Sequence, residues 1–367
     1  MLRARLEAVC LTPGGVQCIT RAYIIGQTEF WRRFLAVVYL IQNRRRYFCA
    51  FIILAVLAIV TVWQSVAEAQ QFQRSETPIF GRYPGGHTGL RGGATPNEEG
   101  LGYFLFNRFH SDSSLKGADG QTLANLQGGS YTVTNGIEYI SKYEILGMKY
   151  AFFAAIPMIH GALNREDGTN SQFQSSGLGL SDIIVVPVML MGKSKHFDYQ
   201  IGVGNFFPTG SYTAGSTLNR GNGYWEIFYS AGGMYYPSGD RKGFGLSALL
   251  RVEQNFKQPG TNIQPGDSLT VDFGIDHPIA FGDNHKYIFD VGITGYWQNQ
   301  ITRESGANAA LDTTPYRVLA LGPEIDWILP SYETKFIVRP QWEFATRNAA
   351  QGATFWLGVV HMFGNIF

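Results

Sequence analysis

Residues 243–256 read GFGLSALLRVEQNF. Phe244, Leu246, Ala248, Leu250, Val252 and Phe256 fall on one parity, while Arg251, Glu253 and Asn255 share the other. A period of two places these sets on opposite faces of a strand. The same pattern recurs at 335–346, where Phe336, Val338, Trp342 and Phe344 oppose Lys335, Arg339, Gln341 and Glu343. It recurs again at 286–301, where Tyr287, Phe289, Val291, Ile293 and Trp297 oppose Asp290, Thr294, Gln298 and Gln300. Alternation of this kind suits a water-soluble sandwich as well as a membrane wall, so the connections between strands must decide.

Twelve such segments follow one another from residue 101: 101–111, 132–143, 149–162, 178–191, 197–208, 223–236, 243–256, 267–281, 286–301, 316–329, 335–346 and 352–363. Every second link is short, as in Gly192-Lys193-Ser194-Lys195-His196, Pro237–Lys242 and Gly282-Asp283-Asn284-His285. The intervening links at 112–131, 163–177, 209–222, 257–266 and 302–315 are longer and rich in Gly, Asn and Thr; 347–351 is the short exception. Short turns on one rim, long loops on the other and an even strand count are how outer-membrane barrels are built. Aromatic pairs near strand ends fit interfacial girdles: Phe206-Phe207, Tyr224-Trp225, Tyr235-Tyr236, Tyr296-Trp297 and Phe355-Trp356.

Composition agrees. Of 367 residues, 45% are hydrophobic, 14% aromatic and only 16% charged, and 44 are Gly; soluble domains average about 25% charged. With 29 Lys and Arg against 28 Asp and Glu there is no basic excess for nucleic acid. Arg44-Arg45-Arg46, an apolar run from Tyr47 to Trp63 and Ala67-Glu68-Ala69 have the parts of a secretory signal peptide. Cleavage after Ala69 would remove all three Cys and leave residues 70–367 with 21 basic and 25 acidic side chains. The expected organisation is an extra segment at 1–43 (an over-called start or a long n-region), a signal peptide at 44–69, an irregular stretch at 70–99 and a barrel at 100–367. The stretch 70–99 is open to two readings, a periplasmic segment or a lumen plug. The fold expected is all-β, a twelve-stranded antiparallel transmembrane barrel in the bacterial outer membrane.

Twelve strands lie between the roughly 8-strand barrels filled by their own side chains and open porins of about 16–18 strands, so the lumen should be narrow and partly occupied. Parity assigns Glu226, Arg251, Glu253, Asp272, Asp276, Asp290, Glu324, Asp326, Arg339 and Glu343 to it. Carboxylates predominate, and some must pair with Arg251 and Arg339 or contact water; this set is either a wall-stiffening network or a constriction disfavouring small anions. His110-Ser111-Asp112-Ser113 is the one hydrolase-like cluster, but neighbours on a strand point to opposite faces. The remaining His residues lack metal-ligand spacing. Neither a catalytic group, a metal nor a cofactor is expected.

Several short motifs carry a resemblance. They are Gly179-Leu180-Ser181-Asp182-Ile183 with Pro187, Phe207-Pro208-Thr209-Gly210-Ser211-Tyr212, Tyr224-Trp225 and Arg317-Val318-Leu319-Ala320-Leu321-Gly322-Pro323. Gly89-Leu90-Arg91-Gly92-Gly93 and Gly100-Leu101-Gly102-Tyr103 also fit, with Asn97-Glu98-Glu99-Gly100 replacing the usual Pro-Pro-Gly. Together, over about 89–367, the chain resembles the outer-membrane family of the phenol meta-degradation pathway. The resemblance implies a transporter-like barrel associated with uptake of aromatic or other hydrophobic compounds. The function expected is therefore a passive channel for such solutes, with a structural or adhesive barrel of closed lumen as the alternative. The partners expected are outer-membrane lipid, small hydrophobic solutes and the barrel-assembly machinery, the last through the terminal Phe367.

Overall fold

Leu146 and Gly147, both at positive φ, close a two-residue hairpin. The strands on either side run antiparallel, and the pattern repeats around the molecule. The computed structural model describes residues 84–96, 99–166, 171–214, 216, 218–282, 286–307 and 315–364. The expected signal peptide, segment 1–43, residues 70–83 and Phe367 lie outside them.

The strands are β1 (Gly100–Lys116), β2 (Thr122–Ile145), β3 (Met148–Glu166), β4 (Ser171–Ser175), β5 (Gly179–Leu180), β6 (Ile183–Lys193), β7 (Phe197–Phe207), β8 (Glu226–Tyr235), β9 (Gly245–Asn255), β10 (Ser268–Phe281), β11 (Tyr287–Gln300), β12 (Arg317–Leu329), β13 (Thr334–Arg347) and β14 (Ala350–Met362). Among the described residues, β4 and β5 pair only with β3. The other twelve form a ring in which β1 pairs with both β2 and β14, and β3 with both β2 and β6. The antiparallel sheet is closed and leaves no free edge, as a hydrocarbon surrounding demands of backbone N–H and C=O groups.

The period of two is realised as an outer and an inner face. Ile137, Ile156, Val203, Leu250, Ile275, Ile293 and Trp342 are exposed on the outside. Their neighbours one residue away point in and are buried: Asp276 beside Ile275, Thr294 beside Ile293, Gln341 beside Trp342. An outer face this apolar around the whole circumference requires lipid, not water. Ile293 lies in the middle of β11, opposite Ile275 and Pro323, and is 57% exposed. Ile293→Arg should therefore cost about 2–4 kcal/mol of unfolding free energy in lipid vesicles. Leu146→Arg in the hairpin turn should cost little. Equal effects in urea titrations would mean that the outer face is not in hydrocarbon.

Three features depart from the sequence reading. The stretch 163–177, expected as a loop, carries the end of β3 and the whole of β4, which pair with each other. The stretch 112–131, expected as a loop, is mostly ladder: β1 and β2 stay paired to Lys116 and Thr122 across a register shift at Asp112/Ser114. Most side chains there are polar and the few leucines, such as buried Leu115 and exposed Leu123, do not alternate, so no apolar period marks the strands. The aromatic pairs also divide. Trp225 and Tyr235 face outward, but Phe206, Tyr224, Tyr236, Tyr296 and Trp356 are buried, because adjacent residues of an extended chain cannot share a face.

Candidate functional site: the barrel interior

All ten residues assigned to the lumen by parity have inner-face positions. Glu226, Glu253, Asp272, Asp276, Asp290, Glu324, Asp326 and Arg339 are buried, and Arg251 and Glu343 are half-buried. Register stacks them by depth. Asp290 and Asp326 face each other nearest the short-turn rim; Asp276, Glu324 and Arg339 share the next level; Asp272 and Glu343 share the one after that; Glu226, Arg251 and Glu253 lie toward the long loops.

Of the two expected cations, Arg339 pairs with a carboxylate of the set. Arg339 grips Glu324 with two donors, Nη2 at 3.0 Å from Oε1 and Nε on Oε2, the fork geometry that makes Arg–carboxylate pairs strong. Arg251 lies with its guanidinium carbon 4.4 Å from the centroid of the Phe228 ring. Other cations serve three more of the carboxylates. Lys335 reaches Asp326 at 2.9 Å, and Arg91 reaches Asp276 at 2.6 Å and Asp290 at 2.5 Å. Near the short-turn rim, Arg241 reaches buried Asp198 at 2.7 Å. At the opposite end Ser268 donates to Glu253, and Tyr296 Oη and Gly352 N donate to Glu343.

Arg91 belongs to no strand. Residues 84–96 run along the inner face and are fastened to it at several depths. Gly86 N donates to Asp272 Oδ1 (2.8 Å), Thr88 Oγ1 to Asp272 Oδ2 (2.9 Å) and Leu90 N to Glu324 Oε2 (3.1 Å). Arg339 Nη1 donates to the carbonyls of Gly86 and His87. Further along, Gln200 Nε2 donates to Gly92 O (2.8 Å), and Thr95 N to Asp198 Oδ2 (3.2 Å). The glycines permit this intimacy: a Cβ at Gly93 would collide with the backbone of Gly233, and one at Gly89 with Arg339. Asp272, Asp276, Asp290 and Glu324 thus hold a segment of their own chain.

The interior has a second character. Whereas β9–β13 supply most of the charge, β14, β1, β3, β6, β7 and β8 turn Trp356, Phe104, Phe106, Phe153, Val186, Phe206 and Phe228 inward. Sequence reading missed this arc because it treated aromatics as girdle residues. The signal was present in β1, where Phe104 and Phe106 share the parity of Arg108.

The resemblance motifs act on the loops. Asp182 accepts from Gly210 N (3.1 Å) and Asn222 N (2.8 Å), Ser181 Oγ donates to Arg220 O, and Thr209 Oγ1 donates to Ser181 O. They knot the β7–β8 loop to the start of β6. His110 bridges Asp112 Oδ1 (3.0 Å) and Thr354 Oγ1 (2.9 Å), while Ser113 Oγ donates to Gln351 O. Ser111 has outer parity, away from the imidazole.

Comparisons with known proteins agree with this architecture. The sequence model of a family described as "Putative MetA-pathway of phenol degradation" matches residues 111–359, more than half of the chain. Among solved structures, the chain is similar to the COG4313 outer membrane channel from Pseudomonas putida F1, at 13% identity and a TM-score of 0.59 over 74% of this chain and 97% of that one. The β domain of the Bordetella autotransporter BrkA aligns at 10% identity and a TM-score of 0.44, over 73% of this chain and 100% of that one. No match is found among curated proteins. The fold is that of an outer-membrane β-barrel, located in the bacterial outer membrane and in contact with its lipid.

Proposed function

From the premise that the chain belongs to the family of the MetA pathway of phenol degradation, we propose that it is a channel for passive uptake of small hydrophobic or aromatic compounds. The observation that carries this reading is the aromatic arc inside a barrel whose remaining wall is charged. Apolar rings gain from contact with Phe104, Phe106, Phe228 and Trp356, whereas the excess of carboxylates in the wall disfavours small anions. Residues 84–96 act in this reading as a plug that narrows the lumen. Passage needs no energy input, only a concentration gradient maintained by consumption of the solute inside the cell.

Cells with an intact lipopolysaccharide leaflet provide the test, because that leaflet slows apolar solutes. Expression of the full chain should raise the initial uptake of labelled phenol and toluene several-fold and leave glucose uptake unchanged. Uptake equal to that of cells lacking the chain would favour the structural or adhesive barrel instead.

A further inference from the structure

One point in the interior concentrates aromatic rings. The imidazole of His87 stands edge-to-face against Phe106 (centroids 5.0 Å, 65°), Trp356 (5.6 Å, 63°) and Phe104 (6.5 Å, 69°). All three separations fall in the range of about 4.5–7 Å over which aromatic pairs attract. The three host rings are braced by other contacts. Phe104 stacks on Phe153 (5.1 Å, 12°), Phe106 meets Trp356 edge-on (6.3 Å, 89°), and the guanidinium groups of Arg108 and Arg339 lie 5.6 and 5.7 Å from the Trp356 ring centroid. The cage is therefore built by strands β1, β3, β13 and β14, not by the residue inside it.

His87 is brought there by its backbone. A turn with Gly86 at φ 78° lets His87 N donate to Pro84 O (3.2 Å), and Arg339 Nη1 holds His87 O at 3.1 Å. Burial, followed by the charge of Arg339, keeps the imidazole neutral. The side chain thus contributes an uncharged five-membered ring to a cage that other residues assemble. Nearby, Arg108 Nε and Trp356 Nε1 are buried N–H groups without an acceptor among the described residues, a state that costs free energy unless an incoming group satisfies them.

We propose that Phe104, Phe106 and Trp356 form a binding site for one small uncharged aromatic ring bearing an oxygen acceptor, and that His87 is a resident surrogate which the entering solute displaces. The proposal rests on the uptake reading above and locates where in the lumen the solute is held. A phenol-like ring matches the cage in size and in edge-to-face chemistry, and its oxygen supplies the acceptor that the two N–H groups lack.

Titration of the full chain in detergent with 4-fluorophenol, followed by fluorine NMR, tests this directly, since micelle partitioning is not saturable. His87→Ala should vacate the cage and bind the probe about tenfold more tightly than wild type. Adding Trp356→Ala, or Phe106→Leu if the first double variant loses heat-modifiable migration, should weaken binding about tenfold. Binding by His87→Ala no tighter than wild type, or unchanged by either cage substitution, overturns the proposal. Saturable binding without accelerated cellular uptake keeps the site and rejects the channel reading; uptake without saturable binding does the reverse.

Discussion

Removal of residues 84–96 is expected to raise the conductance of the barrel in planar bilayers on the order of tenfold, because a ring of this strand number encloses space beyond what its own wall fills. The segment crosses the inner face from Asp198 near the short-turn rim to Asp272 at mid-depth. Excision uncovers Asp272, Asp276, Asp290 and Glu324 together, so the current should also become cation-selective, read as a shift of reversal potential in a salt gradient. Arg91→Ala is the milder version. It leaves Asp276 and Asp290 without their shared cation, and like charges at such separation repel strongly in a partly dry lumen. Openings should become longer and more frequent while the barrel itself persists. Wild-type conductance in both variants would mean that the segment does not obstruct the path.

Arg339→Ala should be the most destabilising single substitution in the interior, by about 3–5 kcal/mol. It removes two charge-assisted bonds to Glu324, both donors to the carbonyls of Gly86 and His87, and a cation beside Trp356. What remains is a buried carboxylate that accepts from Leu90 N. Replacing both partners, Arg339→Met with Glu324→Met, should recover much of the loss, since the desolvation cost of the pair disappears with it. Urea unfolding in lipid vesicles measures both. A loss below about 1 kcal/mol for the single variant would identify the pair as water-exposed.

Strand positions were legible in the sequence because the apolar period of two is imposed by hydrocarbon outside and polar surroundings inside. The segments read at 267–281 and 286–301 differ by a residue or so from Ser268–Phe281 and Tyr287–Gln300. Where that contrast vanishes, so does the signal, as along the outer part of β1 and β2. The same parity places Glu324 and Asp290 on the inner wall. Their partners were hidden because Arg91 lies in a stretch without period, 199 residues from Asp290. His87 was set aside as one scattered histidine for a similar reason. Its aromatic company exists only once β1 and β14, from opposite ends of the barrel sequence, lie side by side, pairing Arg108 with Trp356.

That junction governs what truncation does. The opening and final staves of the ring seal each other, so a chain halted before Ala350 leaves β1 and β13 each with one flank bare. Unpaired flanks cannot persist in an oily slab, and a shortened version has no smaller closed form to fall back on without rebuilding every tilt and stagger around the circumference. Closure is thus a property of the whole polypeptide, and nonsense or frameshift changes late in the coding region should be as damaging as early ones.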